Sequence, residues 1–162
     1  MRLYVMRHGP AEDRAPSGSD FDRRLTPSGR ELVGRVARAF HAARGTDPLR
    51  IFASPRVRAC ETAAIVRSAI VAPAHAIEIH QELGGETAIP LALIAAAAAT
   101  GVDTLLVGHQ PVVEELVHRL TSARSMHAGF STATIVGLDL DHAADGAGWT
   151  LATHLDPSRF PG

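Results

Sequence analysis

At 162 residues the chain can bury a substantial core as one domain, and its near balance of 16 basic and 17 acidic side chains gives no general attraction for nucleic acid or an anionic membrane. Aromatic residues make up only 4%, too few for a base-stacking surface, and no apolar run reaches the roughly 18 residues that would span a bilayer. The single cysteine, Cys60, excludes an intramolecular disulfide and suits a reducing cytoplasm, and no charged start followed by an apolar run marks a signal peptide.

Taken in order, Leu3-Tyr4-Val5-Met6 is a short apolar run that ends in Arg7-His8-Gly9-Pro10, the pattern of a buried strand stopped by a loop. Residues 9 to 25 are rich in Pro, Gly, Ser, Asp and Arg and read as a loop. Thr26 with Pro27 then opens a helix whose apolar face is Leu32, Val33, Val36 and Phe40 and which Gly45 ends. Leu49 to Ala53 is a second strand. Ser54-Pro55 repeats the cap-plus-proline start, which places Arg58 and Thr62 one turn apart on one helix face.

Residues 76 to 79 make a third strand with Glu82 just beyond it, and Pro90 to Thr100 an alanine-rich helix. Asp103 to Val107 is a fourth strand, ending in Gly108-His109 before a helix from Pro111 to Leu120. Thr134 to Leu140 and Trp149 to His154 are two late strands with no helix between them, hence antiparallel. The expected fold is α/β, a three-layer sandwich with a mainly parallel central sheet and an antiparallel edge, in a single domain over residues 1–162.

That topology has a geometric consequence. His8, Arg58, Glu82 and His109 each follow a strand at what should be one sheet edge, where open α/β sheets bind ligands. Two arginines and two histidines in one pocket suit a phosphoryl group, because guanidinium forks match its oxygens and a neutral imidazole can attack phosphorus.

Arg7-His8-Gly9 after an N-terminal strand, Ser54-Pro55-Arg56-Val57-Arg58-Ala59 with Thr62, and Gly108-His109-Gln110-Pro111 together resemble the histidine phosphatase superfamily, phosphoglycerate-mutase-like in fold. The short chain and the Arg24-Leu25-Thr26-Pro27-Ser28-Gly29 segment are similar to its SixA-type phosphohistidine phosphatases. The resemblance implies His8 as nucleophile, with Arg7, Arg58 and His109 as the rest of the phosphate pocket. Glu82 stands where many relatives carry a proton donor, Gly9 is carried as a substrate-binding residue, and Arg56 only as a rim contact.

The implied activity is hydrolysis of phosphohistidine on a phosphorelay or phosphotransfer protein, through a covalent phosphohistidine at His8. An imidazole leaves more readily than an alkoxide, so a strong acid is dispensable for such a substrate. One alternative keeps the mechanism with a small phosphomonoester, a sugar phosphate or nucleotide; another is a non-catalytic phosphate- or phosphoprotein-binding module. No cofactor is expected, since neither standard glycine-rich nucleotide loop is present, and no metal, nucleic acid or membrane partner. A cytoplasmic monomer is the expectation.

Other polar clusters read as structural. Cys60 has no arginine at the spacing of a cysteine phosphatase and reads as a small packing residue. His75, Glu78 and His80 read as a surface group rather than a metal site, because the two histidines would point to opposite strand faces. Asp20, Asp22, Arg23 and Arg24 read as a self-paired loop beside the pocket, with a substrate contact left open. Asp139, Asp141 and His142 read as exposed loop residues.

Overall fold

The computed structural model describes residues 1–70, 74–85, 89–121, 130–141 and 148–160. Within them run β1 (Arg2–Arg7), α1 (Pro27–Arg44), β2 (Leu49–Ala53), α2 (Val57–Ala69), β3 (Ala74–Ile79), α3 (Leu91–Ala99), β4 (Asp103–Gly108), α4 (Val112–Thr121), β5 (Ile135–Asp141) and β6 (Gly148–Leu155). The strands form one sheet in the order β3-β2-β4-β1-β5-β6. The first four of that order are mutually parallel, while β5 runs antiparallel to β1 and β6 antiparallel to β5. This is the expected α/β architecture of a mainly parallel sheet with an antiparallel edge.

The period of two along β1 divides the core into two layers. Tyr4 and Met6 face a layer completed by Val33, Val36 and Phe40 of α1 and Ala59, Ala63 and Val66 of α2. Leu3 and Val5 face the opposite layer, with Ile94 and Ala97 of α3 and Val113, Leu116 and Val117 of α4. Helices thus cover both sheet faces, as a run of parallel strands apolar on both sides requires.

The start of α1 follows from its sequence. Thr26 Oγ1 accepts the Gly29 N–H at 3.0 Å, Pro27 supplies the first helical turn, and Gly45 ends the helix at a φ of 78°. A methyl at Gly29 would lie 2.1 Å from the carbonyl oxygen of Pro10, so α1 rides directly on the loop that follows His8. The start of α2 departs from the expectation. Its first residue is Val57, with Arg56 before it, and Ser54 caps nothing further along the helix; its Oγ accepts the Arg56 N–H at 3.2 Å. Strand β3 begins at Ala74, two residues earlier than expected, and His142 lies outside the described residues.

Candidate active site

Three adjacent parallel strands end side by side, and their next residues build the site. The pairing of β1 with β4 reaches Arg7 opposite Gly108, and that of β2 with β4 reaches Ala53 opposite Val107. The ladder carries one residue further: the His8 N–H donates to the Gly108 carbonyl at 3.0 Å and the Ser54 N–H to the Val107 carbonyl at 3.0 Å. His8, Ser54 and His109 are therefore placed by backbone pairing. Arg58 comes from the first turn of α2.

Two contacts agree on the tautomer of His8. The Gly9 carbonyl can only accept, so Nδ1–H donates to it at 2.7 Å, and Nε2 accepts the Arg58 Nε–H at 3.3 Å. The ring is thus neutral, with its Nε2 lone pair turned toward Arg58. Burial, followed by the charges of Arg58 and Arg7, lowers the His8 pKa to about 4. Burial and the neighbouring His8 and Arg58 lower that of His109 to about 3. The two rings lie 5.0 Å apart between centroids.

Arg7 donates from Nη1 to the Phe130 carbonyl at 2.8 Å, which anchors one side of its fork. Its Nε and the Nδ1 of His109 are buried with no partner among the described residues. Of the six buried nitrogens without a partner among the described residues, these two belong to side chains lining one pocket, where a polar ligand would pair them. The pocket encloses about 350 Å³ among Arg7, His8, Arg56, Arg58, Gly85 and His109. A second cavity of about 520 Å³, lined in part by Asp20, Phe21, Pro55 and Gln81, shares Arg56 and Gly85 with it.

Of the residues singled out in the sequence, Arg7, His8, Arg58 and His109 are brought together, and Arg56 stands at the rim. Gly9 stands behind His8 rather than on the pocket wall: its N–H donates to Thr62 Oγ1 at 3.1 Å, its carbonyl holds the His8 ring, and a Cβ there would meet Val33 at 2.4 Å. Glu82 is exposed on a 3₁₀ turn, Gln81–Leu83, and lines neither cavity.

Cys60 is half-buried, its thiol donating to the Ser54 carbonyl at 3.2 Å and pushed up in pKa by burial. Glu78 takes the Arg50 guanidinium at 3.0 Å, and no group of three metal-ligating side chains occurs among the described residues. Asp139 pairs with Arg2 at 2.7 Å. The loop cluster does pair within itself, Ser17 Oγ with Asp22 at 2.7 Å and Arg23 with Asp20 at 2.7 Å.

Two residues gain partners that the sequence did not specify. Ser54 Oγ lies 2.7 Å from His109 Nε2 and so fixes that ring. Knowing that β2 and β4 are neighbours would have revealed it, because residues following paired strand ends must meet. Asp20 is the second: its backbone carbonyl accepts from Arg58 Nη1 at 2.6 Å, and its Oδ2 from Arg58 Nη2 at 3.0 Å and from Arg56 Nη1.

Comparison with known proteins agrees with this geometry. The family model of the histidine phosphatase superfamily (branch 1) matches residues 3–85. An uncharacterized protein of Picosynechococcus sp. strain PCC 7002 is 34% identical over 142 residues, covering 85% of this chain and 84% of that one. The structure of the protein histidine phosphatase SixA complexed with tungstate superposes with a TM-score of 0.82 at 27% identity, covering 99% of this chain and 100% of that one. A mycobacterial glucosyl-3-phosphoglycerate phosphatase shares the fold, with a TM-score of 0.70 at 17% identity over 93% of this chain and 96% of the other. With its histidines and arginines gathered at the carboxyl ends of β1, β2 and β4, the chain belongs to the histidine phosphatase superfamily and is a phosphatase of phosphoglycerate-mutase-like fold, similar over its whole length to SixA.

Proposed function

We propose that the protein removes phosphoryl groups from histidine on a partner protein, with His8 as the nucleophile and Arg7, Arg58 and His109 as the phosphate pocket. Nδ1–H of His8, held by the Gly9 carbonyl, leaves Nε2 as the attacking nitrogen. Its lone pair forms the new N–P bond as the bond to the substrate nitrogen breaks. The substrate ring reacts as its imidazolium, protonated by solvent at the nitrogen that does not carry phosphorus, so the departing electron pair leaves it a neutral imidazole. Arg7, Arg58 and His109 hold the equatorial oxygens through the loose transition state. Water then attacks phosphorus, the P–Nε2 bond breaks, and inorganic phosphate departs with His8 restored.

One observation carries the choice of substrate. Neither Glu82 nor Asp20 suits the protonation of a leaving alkoxide: Glu82 lines neither cavity, and Asp20 is held ionised by guanidinium groups. A phosphohistidine needs no such donor. The similarity to SixA supports the same reading, and the second cavity, which shares Arg56 and Gly85 with the pocket, leaves room for the peptide that carries the phosphorylated ring.

The test is a single-turnover incubation of wild type and His8→Ala with a protein phosphorylated on histidine, beside an aryl phosphate, quenched in alkali to preserve phosphoramidates. Rapid loss of label from the protein, with transient label on wild type and none on His8→Ala, is the expected result. Turnover of the aryl phosphate alone would keep the mechanism and move the substrate to a small phosphomonoester. Binding of the phosphorylated protein without turnover would replace the enzyme by a phosphate-binding module.

A further inference from the structure

We infer that Asp20 is a built-in competitor for the phosphate pocket: it holds Arg58 and Arg56 until a phosphoryl group takes them, and reclaims them as product phosphate leaves. The inference rests on the reading of Arg58 as a phosphate ligand. Arg58 presents its outer nitrogens to one residue, Nη1 to the Asp20 carbonyl at 2.6 Å and Nη2 to the Asp20 carboxylate at 3.0 Å. The same carboxylate oxygen accepts from Arg56 Nη1, whose side chain also reaches the Gly84 carbonyl from Nη2 at 3.2 Å. An anion sitting across two guanidinium groups at the mouth of the pocket occupies what an oxyanion would use.

The two partners differ in freedom. The Arg58 side chain is 5% exposed and that of Asp20 50% exposed. Asp20 also lies on a single 3₁₀ turn, Asp20–Asp22, in the long loop after β1, whereas Arg58 is fixed in a helix packed against the sheet. When a ligand and Asp20 compete, Asp20 is the one that moves. It moves without becoming unpaired, because its other oxygen keeps Arg23 Nη1 at 2.7 Å. Arg23 and Arg58 hold its carboxyl well below the usual carboxylate range, so the competitor is charged at any working pH.

The exchange also bears on the nucleophile. Arg58 Nε donates to His8 Nε2, the atom that must attack, and Asp20 grips the other end of the same guanidinium. A phosphoryl group that displaces Asp20 also draws Arg58 onto its own oxygens and frees the lone pair. Loose inorganic phosphate must make the same displacement with no contacts from a carrier, so Asp20 keeps product from filling the site.

Binding of inorganic phosphate, measured by titration calorimetry at fixed ionic strength, tests the inference in wild type, Asp20→Asn, Asp20→Ser, Asp22→Asn and Arg58→Ala. Removing the competing charge is expected to tighten phosphate binding by about tenfold or more in both Asp20 variants. Asp22, paired with Ser17, serves as the control and leaves affinity unchanged. Unchanged or weaker binding in the Asp20 variants, with Arg58→Ala impaired, would overturn the inference alone. Wild-type affinity in Arg58→Ala would overturn the phosphate-pocket reading and the inference with it.

Discussion

At the scale of the residue, the chemistry depends on keeping two imidazoles neutral beside cations. His8 is lowered from 6.5 to about 4 and His109 to about 3, in each case by burial first and by neighbouring charge second. A lowered folded pKa means that the unfolded chain binds the proton more readily. Stability from these groups is therefore complete above about pH 6.5 and is lost as pH falls toward 4 and then 3. The expected NMR titration shows the His8 ring signal moving near pH 4, shifted upward in Arg58→Ala; a midpoint near 6.5 in the wild type would contradict it. His8, Arg58 and His109 were legible in the sequence because each follows an apolar run that had to be a buried strand. Asp20 was legible only as a loop residue beside the pocket and Ser54 only as a cap, since their partners depend on a loop path and a strand order that no local pattern encodes.

At the scale of the element, α1 shows what sequence conveys well. Thr26, Pro27 and Gly45 each satisfy or end backbone groups locally, so the helix limits could be read directly. The start of α2 was misread because Ser54 has two claims on its hydroxyl, the Arg56 N–H and the His109 ring, and only the first is local. The contact of α1 with the loop that follows His8 gives a prediction. In Gly29→Ala the new methyl meets the Pro10 carbonyl, which is backbone and cannot swing aside. The helix must move off the loop that follows His8. A loss of roughly 1–3 kcal/mol in denaturant unfolding is expected, of the order of other overpacked sites, together with a fall in kcat; an unchanged midpoint would show that the loop gives way freely.

At the scale of the whole molecule, core and pocket are one structure, and Phe130 joins them. Its ring is 1% exposed in the layer beneath α3 and α4, while its carbonyl holds Arg7. Phe130→Ala should lower stability by about 3–5 kcal/mol through the cavity it leaves. It should also raise KM, because the segment that fixes Arg7 loses its anchor; a stability loss with unchanged KM would show that the carbonyl is held from elsewhere.

The position of β1 has a further consequence, for the order in which the protein is made. Strand β1 lies inside the sheet although both its partners come later in the chain: Leu3 pairs with Thr104 on one side and Leu138 on the other. No neighbour for it exists until some hundred residues have left the ribosome. Throughout that interval Leu3 to Met6, all fully or almost fully buried at the end, stay unpaired and apolar. His8 directly follows this strand, so a nascent chain cut short within that interval exposes a sticky segment while His109, which faces His8 in the finished pocket, is still missing.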